Sequence, residues 1–157
     1  MAGQYASQTS VGSDRSRAEI EKTLKRYGAT SFAYGWNESS ATIVFDIDDR
    51  RIRFTLPLPD AAERRFTHTA TGKARVANAS EEAYEQAVRQ SWRALNLVIK
   101  AKLEAVAANI ATVEQEFLAY IVDPNTNETV GDIIAPQLRE SYRSLPNGKP
   151  AMLSLTP

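Results

Sequence analysis

Apolar and polar residues alternate along three short stretches in the first third of the chain, and apolar residues then recur every three to four positions along a much longer one. In Phe32-Ala33-Tyr34-Gly35-Trp36 the aromatics fall on every second position, and the same period returns in Ile43, Phe45, Ile47 and in Ile52, Phe54, Leu56. A period of two places these side chains on one side of a β-strand. Asp48-Asp49, as a two-residue hairpin loop, sets Phe45 opposite Ile52 and Ile43 opposite Phe54. A turn near Glu38-Ser39 sets Trp36 beside Ala41, Tyr34 beside Ile43 and Phe32 beside Phe45. Both turns bring every apolar residue to the same face, whereas a one-residue slip would turn the whole set over. The other face carries Ala33, Gly35, Thr42, Val44, Asp46, Arg51, Arg53 and Thr55, with Asp46 opposite Arg51 as a cross-strand pair.

Helical periods flank this meander. Asp14 or Ser16 can cap a first helix whose stripe is Ala18, Ile20, Leu24 and Tyr27, and Gly28 has the position of a C′ glycine. After Pro57 and Pro59, residues 60–80 show no sustained period and read as a long loop with a short helical turn at Ala61 to Arg65. Ser80 then reads as the cap of a long helix with Glu81 and Glu82 in its first turn. Its stripe is Tyr84, Val88, Trp92, Leu95, Ile99, Leu103, Val106 and Ile110. Thr112 with Gln115 forms a second capping box, predicting a separate helix over 113–122, and Ile133 to Tyr142 reads as a weaker helix interrupted by Pro136. The expected fold class is α+β: helix, three-stranded antiparallel meander, long loop, long amphipathic helix, C-terminal helices. Residues 14–143 form the expected single domain, between tails at 1–13 and 144–157.

Composition narrows the chemistry. A length of 157 residues is one domain's worth of chain, enough for a core without staples. The absence of cysteine excludes disulfides, thiolate metal sites and cysteine nucleophiles, and it points to a cytoplasmic setting. Met1 to Ser13 has no apolar run, so neither a signal peptide nor a membrane anchor is expected there. The 19 basic and 19 acidic residues cancel overall but segregate. Arg50 to Lys102 holds eleven Lys/Arg against five Asp/Glu, while Leu103 to Pro157 holds three against seven. Such a basic middle suits a polyanion, or it is a solvated surface whose signs segregate in sequence.

No reaction is announced. Asp46, Asp48 and Asp49 resemble a carboxylate cluster for a divalent cation, but two of them lie where a turn favours Asp and the third has a cationic partner, so no metal site is expected. His68, the single histidine, lies in a basic loop with no identifiable catalytic partner. Thr71-Gly72-Lys73 lacks the upstream glycine and leading strand of a phosphate-binding loop, and no nucleophile elbow is present. No catalytic residue, metal or cofactor is therefore assigned.

The positive signal is basic. Arg89, Arg93 and Lys100 fall within about 40 degrees of one another on a helical wheel, beside the apolar face. With Arg51, Arg53, Arg64, Arg65, Lys73 and Arg75 they could line a path for phosphates in a groove between helix and sheet. The competing reading is that these long side chains cover the apolar seam while their charged ends stay in water.

Two resemblances bear on function. The segments Asp14-Arg15-Ser16-Arg17-Ala18-Glu19-Ile20-Glu21, Phe32-Ala33-Tyr34-Gly35-Trp36, Phe54-Thr55-Leu56-Pro57-Leu58-Pro59 and Arg93 to Glu104 resemble a family of uncharacterised proteins of actinobacteria and their phages. The match covers residues 14 to about 140 and implies a phage or prophage setting without a function. The order of elements, in topology only, resembles the core of phage single-strand annealing proteins of the RecT and Redβ type, which assemble into rings or filaments on DNA. The double-stranded RNA-binding domain shares that order, but its basic helix start is replaced here by Ser80-Glu81-Glu82, which would repel phosphate. The sequence thus points to a non-catalytic, homo-oligomeric protein that binds single-stranded DNA in annealing or recombination, with no membrane association. The alternative is a small phage accessory protein that binds and inhibits or redirects a host protein.

Overall fold

In a computed structural model the chain is described over residues 5–145, and its side chains over 14–145. The expected α+β architecture is found: a helix, a three-stranded antiparallel sheet, a long helix, then C-terminal helices. Helix α1 spans Tyr5–Arg26, β1 Ser31–Trp36, β2 Ser40–Ile47 and β3 Arg50–Pro57. The short α2 is Arg64–Thr67, α3 Ala77–Ala107, α4 Val113–Phe117, followed by a 3-10 turn at Leu118–Tyr120, and α5 is Val130–Arg143.

The sheet has the order β1-β2-β3, in the register read from the alternation. Phe32 faces Phe45, Tyr34 faces Ile43 and Trp36 faces Ala41, while Phe45 faces Ile52, Ile43 faces Phe54 and Asp46 faces Arg51. Asp48 and Asp49 both take left-handed backbone (φ 51° and 58°), the conformation of a type I′ hairpin turn that matches strand twist. At the other end Asn37 closes the first hairpin, its Oδ1 accepting the amides of Ser39 (2.9 Å) and Ser40 (2.8 Å).

One sheet face is buried beneath α1 and α3. Ile43, Phe45, Ile52 and Phe54 meet Ile20 and Leu24 of α1, Val88, Trp92, Leu95, Ile99 and Leu103 of α3, and Val113 and Phe117 of α4 in a single core. Trp92 is 1% exposed and tilts against Tyr34 at 5.6 Å between ring centroids. Phe117 stands edge-on to both Phe45 and Phe54. Beyond β3 the chain returns along the sheet margin, where Ile121 bridges Ile52 and the Val122 amide donates to the Arg51 carbonyl (2.9 Å).

Several boundaries differ from the sequence reading. Helix α1 begins at Tyr5 rather than near Asp14, since no proline interrupts that stretch and each added residue adds a backbone hydrogen bond; residues 1–4 of the expected tail lie outside the described residues. Helix α1 ends as expected, with Gly28 at φ +91° and the Ala29 amide bonded to the Leu24 carbonyl. Helix α3 starts at Ala77 with Val76 as N-cap, so Ser80 is not a cap, and Glu81 and Glu82 stand beyond the first turn. Its 31 residues span about 46 Å. Asn109, at φ 56°, stops it. The capping box of Thr112 and Gln115 is present, but α4 ends at Phe117, because Ile121 and Val122 are drawn off to pair with strand partners. Helix α5 runs unbroken through Pro136, capped by Thr129, which accepts from the Asp132 amide (3.2 Å). Residues 146–157 of the expected C-terminal tail lie outside the described residues.

Candidate nucleic-acid interface

The loop between β3 and α3 is an ordered hairpin. Its base is α2, where buried Phe66 meets Tyr84 of α3 edge-on at 5.7 Å. His68 bridges Ala74, the Thr69 amide donates to the Lys73 carbonyl (2.8 Å), and the Arg75 amide donates to the Thr67 carbonyl (2.8 Å). The tip turns at Gly72, whose φ of +83° is one that side chains disfavour. A tight hairpin was not legible as a period because its paired segments are only two or three residues long. The Thr-x-Thr-Gly-Lys sequence at its tip was the available signal, a turn glycine between hydroxyls.

Four of the predicted cations belong to this hairpin, and they differ in state. Arg64 lies over the tip, its Nη2 3.8 Å from where a Cβ on Gly72 would stand. Lys73 is exposed. Arg75 is exposed and donates through Nε to the His68 carbonyl (3.1 Å), which ties its side chain to the hairpin. Arg65 is neutralised by Glu63 (2.7 Å) and lies over the Phe66 ring. Among the described residues no ion pair is formed by Arg64, Lys73 or Arg75. His68 Nδ1 is 2.9 Å from Thr67 Oγ1, a local contact, and among the described residues His68 forms no ion pair.

The remaining predicted cations do not join the hairpin in one path. Arg51 and Arg53 project from the sheet face opposite the helices: Arg51 is bound to Asp46 (2.9 Å) and Arg53 to the Asn127 carbonyl (2.8 Å). The hydrogen bond from Arg51, and then that from Ser31, holds the Asp46 carboxyl below its usual range. A groove between helix and sheet lined by all nine residues is therefore not formed, because strand alternation sends Arg51 and Arg53 to the far side. Arg89 is paired with Glu85 (3.3 Å). Arg93 and Lys100 are exposed and form no ion pair among the described residues. Their flank of α3 borders α1 rather than the sheet, for Asn96 on that flank turns toward Glu19 (3.5 Å). Lys102, on the other flank, donates to the Glu116 carbonyl (2.7 Å).

One expectation about chemistry changes. The first turn of α3 carries no acid, so the electrostatic objection to phosphate near that helix start does not hold. Asp46, Asp48 and Asp49 do not converge, since Asp46 lies on the outer sheet face and the other two in the turn. Among the described residues no group of three or more acidic or histidine side chains could hold a metal ion. An open groove lined by Asp46, Asp49, Arg50, Arg51 and Asp123 runs along the outer sheet margin, but its three carboxylates outnumber its two guanidinium groups, which disfavours a polyanion there.

One exposed aromatic was missed. Alternation places Trp36 on the core face, yet it is 63% exposed. Among the described residues no helix is long and apolar enough to cross a membrane. No family model, curated protein or solved structure matches the chain.

Proposed function

We propose that this is a non-catalytic, cytoplasmic, oligomeric protein that binds single-stranded DNA in annealing or recombination, with the hairpin over 67–75 as its phosphate-contacting element. The observation that carries the reading is the difference in state among the basic residues. Arg51, Arg65 and Arg89 are committed to carboxylates, whereas Arg64, Lys73 and Arg75 gather around one ordered turn without an ion-pairing acid among the described residues. Cations held on a fixed backbone and left uncompensated can exchange counterions for phosphates at little ordering cost.

The test is binding of labelled oligothymidylate across salt concentrations. Affinity should fall with salt at a log-log slope of roughly −0.7 for each phosphate neutralised. Replacing Arg64 and Lys73 together by Gln should make that slope shallower by about 1.4. A wild-type protein without measurable affinity at about 50 mM salt, where electrostatic binding is favoured, would remove the proposal.

The second reading, an accessory protein that docks on a host protein, is favoured by α5. Its apolar stripe of Ile134, Leu138 and Tyr142 is 45%, 54% and 53% exposed, a row of large apolar side chains on one helix face of the kind that marks an interaction surface. Failure of the oligonucleotide experiment would put this reading first.

A further inference from the structure

Trp36 ends β1 on the helix-bearing face, where Phe32 and Tyr34 before it are half-buried. A tryptophan packed in a core would hide most of its surface, but this one keeps 63% in solvent. Its backbone is nevertheless fixed. Trp36 pairs with Ala41, the next residue closes the turn through Asn37 N to Ser40 O (2.8 Å), and Asn37 Oδ1 binds both serine amides. The indole is therefore presented on a rigid support.

Topology sets this support at the basic end of the molecule. The Leu58 amide donates to the Ser39 carbonyl (2.8 Å), so the first hairpin turn lies beside the chain that leaves β3 and enters α2 and the 67–75 hairpin. The start of α3 is at this end too, with Val76 73% exposed. The opposite end holds the Asp48-Asp49 turn and the ends of α1 and α3. An exposed indole on a fixed backbone thus shares one end of the fold with Arg64 and Lys73, which form no ion pair among the described residues.

We propose that Trp36 is a base-stacking platform which, together with Arg64 and Lys73, makes a site for single-stranded nucleic acid in preference to duplex. The inference rests on the nucleic-acid reading above and adds the residue that selects unpaired bases over duplex. An indole face can stack on an unpaired base of any identity, whereas a base inside a duplex already has both faces covered. Phosphates and bases are then read by different residues, and that division makes the two claims separable.

The chain has two tryptophans, and Trp92 is 1% exposed, so quenching of indole emission by unlabelled oligothymidylate reports on Trp36. The expected result is quenching by single strands, weak or no quenching by a blunt duplex of equal length, and an affinity for single strands reduced about 5- to 150-fold in Trp36→Ala. The salt slope should be unchanged in that variant, and Trp36→Phe should keep most of the affinity. Unquenched emission on a bound single strand, equal affinity for duplex, or full affinity in Trp36→Ala would each overturn the assignment while leaving nucleic-acid binding standing. Absence of all binding by the wild-type protein would remove both.

Discussion

The phenol of Tyr27, just past the end of α1, donates a hydrogen bond to the carboxylate of Glu104 near the end of α3, 77 residues along the chain, and Asn96 reaches Glu19 across the same interval. Two contacts with one offset mean that α1 and α3 run parallel, side by side, over the sheet. Such an arrangement requires the connection between them to cross the whole domain, which the meander provides.

That bond makes an alkaline prediction. The Glu104 carboxylate accepts from the phenol and, with desolvation and its own charge, raises the Tyr27 pKa. A raised folded-state pKa contributes stability that is fully present below about pH 10 and is lost as the pH rises through the folded value. Tyr27→Phe should therefore melt slightly below wild type at neutral pH, and the gap should close in alkali. Melting curves that stay a constant interval apart would show that the bond contributes nothing.

Asp46 makes the acid counterpart. Its pKa is lowered chiefly by the hydrogen bond from Arg51 and then by that from Ser31, so its contribution is present above about pH 4 and is lost as the pH falls through the lowered value. The effect is small because the Arg51 side chain is 62% exposed and the pair is screened. Asp46→Asn should be less stable than wild type at pH 7 and converge with it in acid. A difference that persists unchanged at low pH would point instead to a packing effect of the substitution.

Trp92 is the largest fully buried side chain among the described residues, packed in the core against Tyr34 of β1. Trp92→Ala should cost about 3 to 5 kcal/mol, measured by urea denaturation. An unchanged unfolding midpoint would contradict its central place in the core.

Gly131 lets α5 approach the 3-10 turn. A Cβ there would stand 2.7 Å from the Ala119 carbonyl oxygen and 3.3 Å from the Ala119 Cβ, against backbone that cannot swing away as a side chain end would. Gly131→Ala should destabilise by about 1 to 3 kcal/mol and loosen α5, which hydrogen exchange along 130–143 would register as faster opening. Unaltered exchange and stability would show that the helix can shift without loss.

Sequence alone determined what depends on neighbours along the chain. The meander register followed from a period of two and two short turns, because only one pairing puts Ile43, Phe45, Ile52 and Phe54 on the same face. Gly28 and the Thr112-Gln115 box were legible because helix ends need partners for unsatisfied backbone groups, and particular residues supply them locally. The Trp92 stripe was legible because a helix repeats its core face at a fixed period. Tertiary structure alone decided the rest. Trp36 alternates in phase with Phe32 and Tyr34, but burial depends on what lies above each position, and cover is incomplete at the strand's end. The cations of the middle segment are neighbours in sequence yet separate on folding, since strand alternation sends Arg51 and Arg53 away from the helices while hairpin closure gathers Arg64, Lys73 and Arg75. Helix α3 begins at Ala77 because the chain leaves the hairpin there, after the Arg75 amide has bonded to the Thr67 carbonyl. A cap is a local preference, and here a pairing formed elsewhere in the fold set the boundary ahead of the one that Ser80 offered.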